Sequence, residues 1–153
     1  MKIKHLLPPA LLLIVAFACN HVTQSNNANT LNQPAENNAA PKDSCVYFVN
    51  LKNGDTVKSP FVVEMGVKGM SVEPAGNIDA GKGHHHLIID GSYVEKGTMV
   101  MKDSTHLHFG KGQTTDTLKL SPGSHTLTLQ FADGAHNSYG KDWSATITVF
   151  VKQ

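Results

Sequence analysis

The sequence of 153 residues has little cysteine, little charge and no apolar run long enough to span a membrane. Of its two cysteines, Cys19 belongs to an N-terminal leader, and Cys45 alone cannot form an internal disulfide. The formal net charge is +1 and the lysines are scattered, which excludes a basic stripe for nucleic acid. The motifs Gly-x-Ser-x-Gly, His-Glu-x-x-His and Cys-x-x-Cys are missing, which removes the support for several common catalytic sites.

The N-terminus carries the pattern of an export signal. Its first residues are basic, and an apolar run over residues 11–18 ends at Cys19. This run is shorter than the roughly 20 apolar residues of a spanning helix, and it fits a cleaved signal peptide over residues 1–18. The stretch Ala16-Phe17-Ala18-Cys19 resembles a bacterial lipobox, which predicts that Cys19 is acylated and becomes the mature N-terminus. The alternative is an ordinary secretory peptide cut near Ala18, with Cys19 unmodified.

Residues 19–44 are predicted to form a flexible linker. The segment is rich in Asn, Ala, Gln and Thr, so it cannot bury enough apolar surface to offset the entropy of ordering. It would join the acylated Cys19 to a folded domain over residues 45–153. We therefore expect a lipid-anchored protein of the bacterial cell envelope, facing the periplasm or the outside. Its expected partner is the membrane, and nucleic acid is not expected to bind.

The domain over residues 45–153 shows strand signals at short spacing and no sustained helical period. Over residues 61–68, Phe61 and the apolar residues at every second position alternate with wetter neighbours, which is typical of a strand with one buried face. About seven such strands, separated by turns, predict an all-β, immunoglobulin-like antiparallel β-sandwich. Cys45 lies in an apolar run, so we expect a buried and inert thiol.

Two histidine clusters stand out, each in a strand-like setting. In the first, His84 and His86 share one face because strand side chains have a period of two, while His85 turns towards the core side. In the second, His106 and His108 share a face. If the two strands pair, opposed Cβ atoms come within about 5 Å, and the imidazoles can converge. Three or four convergent imidazoles would bind Zn(II) or Cu(II).

Other side chains nearby are weaker ligand candidates. His136, in the polar loop before the last strand, is predicted to supply a further imidazole. Met99 and Met101 share a face, and their thioethers favour Cu(I), but alternating methionines in a strand more often fill a core. His125 follows a Pro-Gly turn and is expected to be structural.

Two further interpretations of the histidines stay open. They could form a buried hydrogen-bonded network with backbone carbonyls, Thr105 or Asp90, which would specify packing without a metal. The protein would then be a non-enzymatic structural or interaction module. Alternatively, a His-x-His strand on a sandwich is similar to copper-zinc superoxide dismutase, by analogy of fold and site, which suggests a copper-dependent redox enzyme. An enzyme is the less favoured interpretation, because no activated nucleophile with a positioned base is evident.

Several short segments occur along the domain in a fixed order: Asn53-Gly54-Asp55-Thr56-Val57, Ser59-Pro60-Phe61, Val67-Lys68-Gly69-Met70, Pro74-Ala75-Gly76, the first histidine cluster with its Gly83 and Asp90, residues 106–114, residues 122–127, and Asp133 with His136. Together they resemble the bacterial domain-of-unknown-function family 4399. The resemblance implies an exported or lipid-anchored protein with an immunoglobulin-like β-fold and implies no activity. It also implies a second histidine soon after His136, where this chain has Asn137-Ser138-Tyr139. A site completed in that loop would be one ligand short here.

Overall fold

The computed structural model describes residues 45–153, which contain nine β-strands and one short 3-10 helix. The strands are β1 (Cys45–Phe48), β2 (Thr56–Lys58), β3 (Phe61–Lys68), β4 (Ser71–Val72), β5 (Lys82–Ile89), β6 (His106–His108), β7 (Thr115–Leu118), β8 (Gly123–Ala132) and β9 (Ser144–Lys152), with the 3-10 helix at Lys141–Trp143. The predicted signal peptide, the acylated Cys19 and the linker over 19–44 lie outside the described residues.

The strands form two sheets. One has three strands in the order β1-β3-β7, and the other has six, in the order β2-β9-β8-β5-β4 with β6 also paired to β5. The pairs are antiparallel except for β2 with β9 and β4 with β5, which are short parallel pairs. The predicted all-β sandwich is therefore confirmed. Sequence reasoning missed β2 and β4, which have only three and two residues and are too short to show an alternating pattern.

The core lies between the two sheets and is built by alternation. On β3, Phe61, Val63 and Met65 are buried, while the residues between them are exposed. On β8, Leu127, Leu129 and Phe131 are completely buried, but the residues between them are buried as well from Thr128 onward. One face of β8 thus packs on the sandwich core, and its other face is covered as well. His84 and His86, which pair with Ala132 and Gln130, lie on the side of that second face.

The first strand corrects one expectation. Cys45 is exposed, so the prediction of a buried thiol is wrong. Its neighbour Val46 is 4% exposed and occupies the inward position, and the period of two then turns Cys45 outward. An apolar run alone did not reveal which of its residues faced the core.

Within residues 45–153, no helix is long and apolar enough to cross a membrane.

Candidate metal centre

Strand pairing brings the two histidine clusters together. Antiparallel β5 and β6 set His86 directly opposite His108, and Ile88 opposite His106. Because paired residues share a face, His108 lies on the side of β5 that carries His84 and His86. One ring nitrogen from each of His84, His86 and His108 lies within 4.8 Å of the other two. These three imidazoles are close enough to hold one metal ion.

His136 comes to the same place from a loop. Its Nε2 lies 3.0 Å from Nε2 of His108, and its ring centroid lies 5.0 Å from that of His84. Between the two strand histidines, Nε2 of His84 lies 3.1 Å from Nε2 of His86. Four imidazoles therefore surround one small volume, although only the first three satisfy the mutual 4.8 Å distance. We call these four residues the histidine cluster.

The loop that carries His136 is held in one conformation by Asp133. The Asp133 carboxylate accepts hydrogen bonds from the backbone N–H groups of Ala135 and Asn137, at 2.9 and 2.8 Å. His136 itself has a φ of 69°, a left-handed conformation that costs a non-glycine residue about 1–3 kcal/mol. Such a conformation persists only where the surrounding structure fixes it. The hydrogen bonds of Asp133 thus hold the loop in a conformation that is unfavourable for His136 but places its imidazole at the cluster.

A glycine makes room for His108. A Cβ atom added to Gly110 would collide with Cε1 and Nε2 of the His108 ring. The ring therefore lies directly against the backbone of Gly110. This close approach gives a physical reason for glycine in the His-Phe-Gly motif, because any larger residue would push the imidazole aside.

Burial keeps the three strand histidines of the cluster uncharged. His84 and His86 are fully buried, which together with neighbouring imidazoles lowers the pKa of His84 to about 4 and that of His86 to about 2. Burial, His136 and Lys102 also lower the pKa of His108. At neutral pH these side chains are neutral, and neutral imidazole is the form that ligates a metal.

The hydrogen bonds within the cluster are incomplete. Within residues 45–153, the buried Nδ1 atoms of His84 and His86 have no hydrogen-bond partner, and the hydrogen bond described for these two rings is the one between their Nε2 atoms. A buried polar atom without a partner costs about 1–3 kcal/mol. A network that existed only to specify packing would be expected to satisfy its members. The predicted partners Thr105 and Asp90 do contact histidines, but not those of the cluster. The Thr105 hydroxyl lies 3.1 Å from Nδ1 of His106, and the Asp90 carboxylate lies 2.9 Å from Nδ1 of His125.

His85 lies on the opposite face of β5, as predicted. It is fully buried, and its ring meets that of Phe131 edge-on at a centroid distance of 5.0 Å. In the part of the chain that the structure describes, neither of its ring nitrogens has a hydrogen-bond partner. Burial lowers its pKa to about 4. His85 is therefore a neutral core side chain that points away from the cluster.

His106 is the predicted ligand that the structure does not bring to the other three. It lies one residue pair beyond His108, opposite Ile88, and its side chain is 29% exposed. Its Nδ1 lies 3.0 Å from both carboxylate oxygens of Asp103. That contact lowers the pKa of the Asp103 carboxyl. The alternation of β6 was predicted, but the acidic partner that holds His106 at the rim was not.

The methionines are placed differently from the expectation. Met99 and Met101 are 54% and 64% exposed, so core filling is wrong, and Val100 between them is buried. Both methionines line a shallow depression together with His108 and His136. The alternation in sequence was real, but the inward position belongs to Val100.

Sequence reasoning also missed a buried amide beside the cluster. Gln130 pairs with His86 across β5 and β8 and is fully buried on the same face. Its Nε2 lies 3.1 Å from the carbonyl oxygens of Gly140 and Trp143. These hydrogen bonds join the end of the loop that precedes β9 to β8. In the sequence, the one sign of this role is a glutamine between the apolar residues Leu129 and Phe131.

A second polar group joins the end of β5 to the start of β8. Asp90 Oδ2 lies 2.9 Å from Nδ1 of His125, whose Nε2 lies 3.5 Å from the Ser121 hydroxyl oxygen. The residue types resemble a nucleophilic triad, but Nε2 lies closer, at 3.0 Å, to the Ser121 carbonyl oxygen. A nitrogen that donates to a carbonyl cannot accept the serine proton. His125 therefore braces the turn, in agreement with its expected structural role.

The comparisons with known proteins agree with the sequence resemblance. The family described as a domain of unknown function (DUF4399) matches residues 63–152, and the chain belongs to this family. The matched segment contains both histidine clusters and His136. No curated protein and no solved structure matches the chain.

Proposed function

We propose that this member of the family is a lipid-anchored envelope protein that binds a transition-metal ion, Cu(II) or Zn(II). Its ligands are His84, His86 and His108, and His136 is the fourth candidate. The observation that carries the proposal is the convergence of three imidazole nitrogens within 4.8 Å, two of them on fully buried residues.

The spacing of the nitrogens suits a tetrahedral ion. Zinc–nitrogen bonds of about 2.0–2.1 Å place two tetrahedral ligands about 3.3 Å apart. The Nε2 atoms of His84 and His86 are 3.1 Å apart, and those of His108 and His136 are 3.0 Å apart. Small movements of the rings would therefore give ligand distances. In the bound state, the ring of each pair that carries its proton on Nε2 would carry it on Nδ1 instead, which would leave both Nε2 lone pairs free to face the ion.

The donor set selects the class of metal. All four candidate ligands are imidazole nitrogen donors, which suit Zn(II) and Cu(II) and do not suit Ca(II) or Mg(II), since these prefer oxygen. Asp133 supplies the nearby negative charge, because its carboxylate acts electrostatically on His84. A buried divalent ion would benefit from that charge. The protein would hold the ion rather than react with it, in keeping with a role in storage, buffering or delivery.

Calorimetric titration with Zn(II) and Cu(II) tests the metal proposal. A soluble chain that begins at Asn20, without the leader and the anchor cysteine, should bind one ion far more tightly than millimolar. The variant His86→Ala/His108→Ala should lose that binding. The control variant His106→Ala, which removes a histidine outside the histidine cluster, should keep it. Binding no tighter than millimolar, or binding that the double variant retains, would sink the proposal.

The anchor is proposed from the leader. The apolar run that ends at Cys19 supports acylation of this residue, and the long polar segment after it supports a tether. Metabolic labelling with an alkyne fatty acid should mark the wild-type protein and leave Cys19→Ala unlabelled. Equal labelling of both proteins, or of neither, would contradict the anchor.

A further inference from the structure

Residues 98–101 run beside the loop that carries His136. The backbone N–H of Val100 donates to the carbonyl oxygen of His136 at 2.8 Å, and that of Ser138 donates to Thr98 at 2.9 Å. Met99 forms an isolated antiparallel bridge with Asn137. The segment is therefore fixed to the loop by backbone contacts. These contacts use backbone atoms, so they do not depend on the side chains of Met99 and Met101.

The pairing turns both methionines to one space. Val100 is 2% exposed and points inward, so the period of two directs Met99 and Met101 outward. Both border a depression of about 280 Å³ that is also lined by Val100, Lys102, His108 and His136. Two thioethers and two imidazoles thus surround a single opening. Packing does not require methionine at either position, since each side chain is more than half exposed.

We propose that Met99 and Met101, together with His108 and His136, form a Cu(I) site at the mouth of the histidine cluster. The proposal rests on the proposed function, because His108 and His136 belong to the cluster, and it names copper as the metal. Thioether sulfur is a soft donor that selects Cu(I), and Zn(II) is seldom bound by it. Imidazole binds either ion. A mixed set of two thioethers and two imidazoles would therefore distinguish copper from zinc.

The local charge agrees with a monovalent ion. Lys102 lines the same depression, and its charge acts on His108. Repulsion between two cations scales with the product of their charges, so Cu(I) meets half the repulsion from Lys102 that Cu(II) or Zn(II) meets. The mouth is accordingly less suited to a divalent ion than the buried end of the cluster.

Competition for Cu(I) against a chromogenic chelator, without oxygen, tests the site. The variant Met99→Leu/Met101→Leu keeps apolar side chains of similar volume and removes both sulfur atoms. Its Cu(I) affinity should fall at least about tenfold. Its Zn(II) affinity, measured by calorimetry, should stay within about twofold of the wild-type value, because zinc makes little use of thioethers.

Met70→Leu is the matched control, since Met70 lies outside the depression and packs against the core. It should leave Cu(I) affinity unchanged. An unchanged Cu(I) affinity in the double variant, while Zn(II) binding still requires His84 and His86, overturns the mouth site and leaves the proposed function standing. Cu(I) binding that requires the methionines, in a chain that binds neither Zn(II) nor Cu(II), supports the mouth site and overturns the proposed binding of a divalent ion.

X-ray absorption on the Cu(I)-loaded wild-type chain gives an answer that does not depend on a variant. A copper–sulfur shell alongside nitrogen is expected, and its sulfur contribution should vanish in Met99→Leu/Met101→Leu. A shell of nitrogen alone in the wild type overturns the proposal, because it means that no sulfur atom, whether of a methionine or of Cys45, is bound to the copper.

Discussion

The two faces of β5 carry histidines of equal burial in different surroundings. His84 and His86 on one face and His85 on the other are all fully buried, and burial lowers the pKa of both His84 and His85 to about 4. His85 meets the ring of Phe131, whereas His84 and His86 meet further imidazoles from β6 and a loop. A buried neutral histidine is therefore not a sign of a metal site by itself. The convergence of several is what distinguishes the two faces.

The largest expected effect is a loss of stability at acid pH, to which the histidines on both faces of β5 contribute. All three pKa values lie below the ordinary 6.5 in the folded state, so the unfolded chain binds more protons between pH 6.5 and about 4. Stability without metal should be fully present above pH 6.5 and should fall as the pH drops through that window. Each extra proton bound on unfolding changes the free energy of unfolding by about 1.4 kcal/mol per pH unit.

Urea melts at a series of pH values measure this loss. The whole domain should lose several kcal/mol by pH 4.5, before most carboxylates are protonated. A free energy of unfolding that is flat between pH 6.5 and 4.5 would contradict the buried, neutral state of these histidines.

The second effect separates the two faces. Zn(II) at a hundredfold excess over Kd should stabilise the folded chain by about 2.7 kcal/mol, which raises the Tm of a domain of this size by roughly 10 °C. His84→Ala/His86→Ala should abolish the rise in Tm. His85→Leu should keep it, because His85 faces away from the ion. A rise that survives the double variant, or that disappears in His85→Leu, would assign the wrong face.

His85→Leu also has an effect of its own. It removes two buried nitrogens that have no hydrogen-bond partner among the described residues, each a cost of about 1–3 kcal/mol. Leucine does not reproduce the shape of the imidazole, so part of this gain is lost in packing. Without metal, the variant should be as stable as the wild type or more stable by about 1 kcal/mol. Denaturant melts above pH 7 measure the change. A loss of 2 kcal/mol or more would mean that His85 has a hydrogen-bond role beyond its contact with Phe131.

A further effect concerns the close approach of Gly110 to the ring of His108. Gly110→Ala places a methyl group where the His108 ring lies and should shift that ring, with a loss of Zn(II) affinity of about tenfold. Gly110 does not have a positive φ, so alanine itself is not strained there. Calorimetric titration beside a Tm measurement distinguishes this from misfolding. An unchanged affinity would mean that His108 moves freely or is not a ligand.

The period of two made much of this site predictable. It placed His84 and His86 together, turned His85 to the core and paired Met99 with Met101. It could not say that Val100 takes the inward position between the methionines, because that depends on the contact with the His136 loop. The same uncertainty misled the expectation for Cys45, which is exposed beside the buried Val46.

Register and loop geometry lay beyond the sequence. Nothing in the chain announced that His108, and not His106, stands opposite His86. Histidine residues in loops are common, and only the left-handed conformation of His136 and the hydrogen bonds of Asp133 bring that imidazole to the cluster. Both features follow from long-range pairing and turn contacts, which have no periodic signature.

Anomalous diffraction from a crystal of the Zn(II)-loaded chain tests the metal site most directly. One strong peak is expected about 2.0–2.1 Å from ring nitrogens of His84, His86 and His108, with His136 close enough to complete a tetrahedron. A peak located instead at the exposed pair of His106 and Asp103, or no peak within ligand distance of the cluster, would contradict the proposal that these imidazoles hold a metal.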